Sequence, residues 1–443
     1  MVLLSLCVSV HAEDAEEARV VALNDLYRLA LNRSEQVGIS KEDLFLARQT
    51  RKKAFSVLIP ELSSFGTYTR YLLNESFADS FAEMGGLDFG NGFASPESTT
   101  TWGLQLNQTF TLNGKELIAL KITGDTIEKN EYDLSAAKEE LLLGVAAAYF
   151  DVLKAEKAFD IAKANVERLI AYRDAVSVKL QLEEAPKTDM FRAEAELSNA
   201  KAELLAVDNQ LRYTRAVLSQ LTGLNDAFGV SDIGPIDDPT DAHGVSDLKV
   251  IAYMHRAELR SMEKQQTIAE DQVRFYRSEY WPTVSLNGSY SKTEQSPSGA
   301  FVINNEDFSV GLTVNFSLFD GGLKKAQVGE ALARKRQADL GLRAIKKQID
   351  LEVEQAYLSV SSAKSQLNAL EDQLKYARSN YDAVLKQFQY GLANSVDIVD
   401  ANTLLVTAER RLSDAGYSYQ LAILKLNRSE GVFLSSLEEE GRL

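Results

Sequence analysis

One phrase of this chain is written twice: "KLQLEEAPKTDMFRAEAEL", starting at Lys179, returns 208 residues later as "QFQYGLANSVDIVDANTLL". Aligned without gaps, residues 175–206 and 383–414 share Ala175/Ala383, Val176/Val384, Gln181/Gln389, Ala185/Ala393, Asp189/Asp397, Ala193/Ala401, Leu197/Leu405, Ala200/Ala408 and Leu204/Leu412. Each copy reads helix, break, helix, with an aspartate just past the break. Length alone would suggest two or three unrelated domains in 443 residues. A repeat of about half the chain restricts it to one architecture built from two related halves.

The period of the apolar residues changes within each half. In "TWGLQLNQTFTL" Trp102, Leu104, Leu106, Phe110 and Leu112 alternate with Thr101, Gly103, Gln105, Asn107, Thr109 and Thr111, which is strand spacing. The second half repeats it with Phe308, Val310, Leu312, Val314, Phe316 and Leu318 against Ser309, Gly311, Thr313, Asn315 and Ser317. "WPTVSLNGSYSK" supplies a partner strand, with Val284, Leu286 and Tyr290 on one side. A strand of about 11 residues, tilted near 45°, spans an outer-membrane hydrocarbon layer of about 25 Å. Lipid against the large apolar face and water against the small polar face account for both sides, with Trp102 and Trp281 as candidate interface anchors. The competing reading is a half-buried sheet on a soluble core. Against it stand four strands in two widely separated pairs, with no other β-signal to complete a sandwich. The first pair is joined by a long stretch holding Glu75, Asp79, Glu83, Asp88 and Glu97, the second by a shorter one, "TEQSPSGAFVINNED"; both read as outward-facing loops.

Helices fill the remainder. A first run over about 39–58 ends at Pro60, and proline-free helical patterns cover about 115–182 and 321–390. The stripe Ala137, Leu141, Val145, Ala148, Val152 recurs as Ile345, Ile349, Val353, Ala356, Val360, keeping one face apolar. About 68 residues at 1.5 Å each make a rod of roughly 100 Å, too long for a compact domain. Each rod turns back into a second helix, about 187–223 and 394–430. The expected organisation is a leader at 1–12, a first repeat at 13–223, a Gly-, Pro- and Asp-rich connector at 224–247, a second repeat at 248–430 and a tail at 431–443. The leader has an apolar run and a small-x-small pattern, Val10-His11-Ala12, but no basic residues before it, which suggests a start further upstream. Simple cleavage is favoured over lipidation at Cys7, because Leu6 stands where a lipidation signal needs a small residue.

Function classes fall away on composition. A net charge of -16 argues against a phosphate-binding surface, hence against nucleic acid. The single cysteine lies in the leader, so the mature chain has neither disulfide nor thiol nucleophile. Only His11, His243 and His255 are available for a catalytic triad or zinc site, and the many carboxylates lie on amphipathic helices. The expectation is no enzyme, no metal and no cofactor. Gly321-Gly322 reads as a strand-to-helix hinge, since no Lys-Ser/Thr follows in P-loop spacing.

Four strands cannot close a barrel, and an open sheet edge in lipid leaves backbone groups unpaired at several kcal/mol each. Several chains must therefore share one cylinder; two, three or four copies give about 8, 12 or 16 strands, all permitted. "FSLFDGG" at a strand-to-helix junction and "YGLANSVDIVDA" at a helical turn, on this duplicated plan, resemble the TolC-like outer-membrane efflux proteins over about 20–432. The resemblance implies a mostly α membrane protein: a homotrimer whose 12-stranded outer-membrane barrel, four strands per chain, continues into an α-helical barrel across the periplasm. It implies a passive conduit opened at its periplasmic tip by a periplasmic adaptor and an inner-membrane transporter. It also assigns acidic mouth rings to Asp397 and Asp400, a gate-network aspartate to Asp189, and a gating-tyrosine position to Phe388. Ala393 stands where a gating arginine is expected, so a salt-bridged lock is doubtful and the closed state is expected to rest on packing.

The residues themselves allow a plainer account of the tip. Asp397 and Asp400, spaced i,i+3, share a helix face and in several copies would ring a constriction, favouring cations. An aspartate in a first helical turn also complements the helix dipole, and Asn394 ahead of Asp397 reads as a helix start. Gly391 is at least a chain-reversal glycine. The runner-up function is a trimeric periplasmic coiled-coil spacer or surface adhesin, against which the internal duplication argues.

Overall fold

The computed structural model describes residues 19–72, 98–225, 228–234, 236–296, 305–439 and 441. The expected leader, and the expected loops where they fall in 73–97 and 297–304, lie outside the described residues.

The four described helices of the first half each have a counterpart of equal length in the second. Helices α1 (Leu23–Arg33) and α2 (Glu35–Ser56) correspond to α5 (Val245–His255) and α6 (Ala257–Ser278), 222 residues on. Helices α3 (Lys115–Gln181) and α4 (Lys187–Thr222) correspond to α7 (Leu323–Gln389) and α8 (Ser395–Glu430), 208 residues on. The offset changes across the strands, so the extra length of the first half lies in its strand region. The chain packs as two units, neither of which is a repeat. One comprises residues up to Lys41, Tyr132–Arg260 and Ala344 onward; the other comprises Glu42–Glu131 and Ser261–Arg343.

The second unit holds an antiparallel sheet of β2 (Glu61–Arg70), β3 (Ser98–Thr111), β5 (Thr283–Ser296) and β6 (Glu306–Asn315), in the spatial order β2-β3-β5-β6. The two hairpins therefore join through β3 and β5. The register places the two chemistries on opposite faces, because directly opposed residues share a face. One face carries Leu62 opposite Leu106, Leu104 opposite Tyr290, and Leu286 opposite Leu312. The other is laced by hydroxyls: Thr101 to Thr293 at 3.1 Å, Thr109 to Ser285 at 2.8 Å and Ser289 to Ser309 at 2.7 Å. Phe65 breaks the pattern on the polar face, its ring lying over Gly103, where a Cβ would meet the ring at 2.9 Å. Along β6 the apolar face is bare. Phe308, Val310, Leu312 and Val314 are each at least 60% exposed, far from what a soluble core demands. Trp102 and Trp281 lie towards opposite ends of the sheet, Trp281 just ahead of β5 and Trp102 edge-on to Tyr290 at 6.0 Å. From Trp102 to Thr111, where the Trp281 end begins, is about 30 Å of strand. β6 ends at Asn315 rather than continuing to Leu318, because Asp320 starts the next helix: its carboxylate accepts from the Gly322 and Lys324 amides, both at 3.0 Å.

In the first unit the core gathers around Tyr149 and Phe150 of α3, Leu26 and Tyr27 of α1, and a short helix α9 (Phe433–Glu439). This helix lies within the expected tail at 431–443. Phe433 and Leu437, one turn apart, bury against the core, with Phe433 edge-on to Tyr27 at 6.3 Å. The connector is not wholly irregular. Its β4 (Phe228–Val230) pairs in parallel with β1 (Arg19–Val21). Asp238 pins it to two helices, accepting from Thr240 N at 2.9 Å, Tyr419 Oη of α8 at 2.7 Å and Lys364 Nζ of α7 at 3.1 Å. Although burial opposes it, these donors hold the Asp238 carboxyl below its ordinary range.

The same unit contains a buried ionic cluster. Arg428 of α8 lies 3.3 Å from Glu139 of α3 and contacts Glu258. Arg256, between α5 and α6, lies 3.1 Å from Glu258 and 2.8 Å from Glu352 of α7. Burial pushes Glu139 up to about 7 in spite of Arg428, and burial alone does the same to Glu430. Glu258 goes the other way: against its burial, Arg428 and Arg256 hold it low. Gly431, in the left-handed region at φ 75°, ends α8 where a Cβ would meet the Arg256 amide nitrogen at 2.7 Å. Only glycine lets α8 end this close to the cluster.

Candidate functional site: the hairpin tips

The duplicated phrase forms two hairpin tips, residues 181–187 joining α3 to α4 and 389–395 joining α7 to α8. Three backbone hydrogen bonds recur between them. Leu182 N to Val178 O, Glu183 N to Leu180 O and Glu184 N to Lys179 O recur as Tyr390 N to Lys386 O, Gly391 N to Phe388 O and Leu392 N to Gln387 O. Both turns put their second residue in the left-handed region, Glu183 at φ 62° and Gly391 at φ 74°. Glycine accepts this without cost; an L side chain loses about 1–2 kcal/mol. Gly391→Ala is therefore expected to lower thermal unfolding stability by about 1 kcal/mol, whereas Glu183→Gly is expected to be neutral or stabilising. Calorimetry of the two variants checks this.

The aspartates just past the two breaks occupy equivalent third positions in α4 and α8 but play different local roles. Asn394 caps α8: its side-chain oxygen accepts from Val396 N at 2.7 Å and Asp397 N at 3.0 Å, while the Asp397 carboxylate accepts from Asn394 N at 2.9 Å. That is a closed capping box. In α4 the cap position is Pro186, which has neither an amide hydrogen nor a side-chain acceptor, so Asp189 cannot close the same box. Asp397 and Asp400 are both exposed and Asp189 is half-buried. Asp189 adds to the effect of burial in raising the phenol of Tyr172 on the facing helix.

Between the tips lies an apolar cluster drawn from all four long helices: Leu169, Tyr172 and Val176 of α3, Ala193 and Leu197 of α4, Phe388 of α7 and Ile398 of α8. Phe388 is buried at its centre, its ring 5.4 Å from that of Tyr172. Lys179 of α3 crosses to it, donating to the Phe388 carbonyl at 2.5 Å with the ammonium 4.3 Å from the ring centroid. Tyr172 donates to the Ser395 carbonyl at 3.4 Å. Further from the tip, Asn402 of α8 donates to Asn165 of α3 at 2.8 Å, Glu409 of α8 receives both Arg168 of α3 at 3.2 Å and Arg378 of α7 at 3.6 Å, and Arg410 reaches Glu203 of α4 at 2.7 Å.

Sequence reasoning named Asp189, Asp397, Asp400, Phe388 and Gly391, and all five fall on these two tips. It missed Lys179, Tyr172 and the Asn165–Asn402 pair. Asn402 was legible, since a polar residue stands on the apolar stripe Ile398, Ala401, Leu405, Ala408. Lys179 carried no signal: its counterpart in the repeat is Gln387, and nothing local marks a lysine that will meet a ring 209 residues away.

Among the described residues no group of His, Cys, Asp and Glu could hold a metal ion, and no helix is long and apolar enough to cross a membrane.

Comparison with known proteins bears on both units. Residues 26–224 and 251–432 match the family model described as outer membrane efflux protein. The chain is similar to outer membrane protein TolC of Escherichia coli (strain K12), with 23% identity over 421 residues covering 92% of this chain and 82% of that one. It is similar also to the alkaline protease secretion protein AprF of Pseudomonas aeruginosa, 24% identical over 431 residues, 94% of this chain and 86% of the other. Its fold matches the crystal structure of outer membrane protein VceC from Vibrio cholerae at a TM-score of 0.79 and 18% identity, over 92% of this chain and 96% of that one.

Proposed function

Because the chain belongs to the outer membrane efflux protein family, we propose that its role as an outer-membrane channel of efflux or secretion systems is carried out as a homotrimeric conduit of two-repeat chains. Three copies of the four-stranded sheet close a 12-stranded barrel in the outer membrane. The paired long helices line a passage through the periplasm, shut at the hairpin tips and opened there by a periplasmic adaptor and an inner-membrane transporter. The protein does no chemistry; it supplies a water-filled path.

The observation that carries this reading is the sheet. β2 and β6 are its edge strands, and one face carries mainly Phe, Val and Leu, exposed along β6, while the other, apart from Phe65, is mainly Ser, Thr and Asn. In lipid such a sheet is stable only when its edges are paired, because unpaired backbone groups have no water to turn to. Joining β6 of one copy to β2 of the next satisfies both edges with a head-to-tail contact that closes on itself. Equal helix lengths in the two halves support the repeat, and exposed Leu182, Tyr390 and Leu392 at the tips support a docking surface for an adaptor. Asp400 is the mouth carboxylate best placed for ion selection, since Asp397 is engaged in its capping box.

Detergent-extracted protein is expected to contain three copies by mass measurement and to conduct ions in planar bilayers. Asp400→Asn is expected to lower the cation-over-anion permeability ratio with the trimer intact. A water-soluble monomer with no conductance overturns the conduit; unchanged selectivity removes Asp400 from the mouth.

A further inference from the structure

We infer that Phe65 is a binding station, on the water-facing wall of the strand cylinder, for organic cations that carry an aromatic group. The inference rests on the conduit reading and adds to it a class of solute that the wall itself holds.

Strand alternation sends the other aromatic side chains of the sheet, Tyr68, Trp102, Phe110, Tyr290 and Phe308, to the apolar face. Among the described strand residues Phe65 is the one ring on the hydroxyl face, where Ser63 and Thr67 flank it along β2. A ring on that side gains nothing from lipid, so its seat matters. Phe65 stands opposite Gly103, and two of its ring atoms lie 2.9 and 3.0 Å from where a Cβ at 103 would be. Any side chain at 103 would lift the ring off the wall. With glycine there, one side of the ring rests against the β3 backbone, and the side chain as a whole stays 40% exposed. A ring already held in place gives up little freedom when a solute stacks on its open side, which lowers the cost of binding.

Charge on the same face has one sign. The register runs Phe65, Gly103, Ser291, Asp307 in a single cross-strand row, and Glu61 lies on the same face four residues before Phe65. Both carboxylates are exposed. Arg70 and Lys292, the basic side chains of these four strands, fall on the apolar face. Asp307 is three strand spacings from Phe65, about 14 Å, so a small solute does not bridge the two within one copy. The carboxylates act through the field of the wall, drawing cations in and turning anions away. The ring then selects among the cations, because its negative face attracts the charge while its area covers an aromatic group. An inorganic cation lacks the second contact, and an aromatic anion is opposed by the first.

A plainer account gives Phe65 only the task of covering a glycine and fixing the β2–β3 register. Leucine separates the two, since it covers the glycine but offers no π-face.

The test is saturation-transfer NMR on detergent-purified protein with three probes: benzyltrimethylammonium, tetramethylammonium and benzenesulfonate. Mass measurement and planar-bilayer conductance of the same samples report assembly and conduction. Wild type is expected to bind benzyltrimethylammonium in preference to both other probes. Phe65→Leu is expected to weaken that binding about fivefold with the assembly intact, and Phe65→Tyr to retain it. If assembled Phe65→Leu binds benzyltrimethylammonium as wild type does, the ring is only a cover for Gly103 and the station is refuted while the conduit stands. Equal binding of all three probes by conducting wild-type protein refutes it too, whether or not Phe65→Leu assembles. Should wild type fail to conduct, the conduit reading fails, and the station with it.

Discussion

Leu312→Arg is expected to abolish outer-membrane assembly, while Thr313→Arg, one residue along the same strand, is expected to be tolerated. The register puts Leu312 opposite Leu286 on the apolar face and Thr313 opposite Ser285 on the hydroxyl face. An arginine on the lipid side of a barrel strand costs about 2–4 kcal/mol near the bilayer midplane. In the proposed trimer each substitution occurs three times, which brings the penalty to roughly the whole stability of an ordinary domain. On the other face the same guanidinium stays in water and can only narrow or recharge the passage. Fractionating cells that express each variant, and probing the outer-membrane fraction for assembled protein, separates the two. Equal loss of both variants, or survival of Leu312→Arg, would contradict a lipid-facing apolar side and favour a sheet packed on soluble protein.

The second large effect is expected at the ionic cluster. Arg428→Met leaves the buried Glu139 without its nearest cation and Glu258 with Arg256 alone, and breaking a buried pair in this way costs about 3–5 kcal/mol. That loss is expected to depend on pH. Glu139 and Glu430 are held near 7 in the folded chain against an ordinary value of 4.5, so between those limits the folded state binds more protons than the unfolded one. Their contribution to stability is full below about pH 4.5 and is lost as pH rises through 7. Wild-type unfolding temperature in detergent should therefore fall from pH 5.5 to pH 8, and Arg428→Met should be closest to wild type at the acid end, where Glu139 carries a proton. Glu430→Gln, which cannot ionise, should flatten the profile and stabilise the protein at pH 8. A wild-type unfolding temperature that rises between pH 5.5 and 8 would mean that both carboxyls are already charged. Arg428 and Arg256 tie α3, α5, α6, α7 and α8 at one place.

Much of this architecture was visible before any coordinates. Alternation over 101–112 and 308–318 identified strands and assigned their faces, since the side-chain period of a strand is two and needs no tertiary information. The absence of proline, with apolar residues every three or four, predicted helices over 115–182 and 321–390; the folded helices end within two residues of those limits. The tips, the glycine at 391 and the helix start at Asn394 follow from backbone conformations and caps confined to four or five residues. In each case the determinant and its effect lie within one turn or one strand of each other.

What the residues could not say is who meets whom. The sheet order, with β3 against β5, depends on two hairpins about 180 residues apart finding a common register. Lys179 meets Phe388, Arg428 meets Glu139, and Asp238 gathers Lys364 and Tyr419 only because the chain returns to the same place after one to three hundred residues. Even α9 was unreadable, since seven residues are too few to be helical without a core to bury Phe433 and Leu437. Local periodicity determined the elements and their faces, because it acts through the backbone. Which charges, rings and edges are paired was decided by tertiary structure alone, because each partner lies a hundred or more residues away and no local pattern marks it.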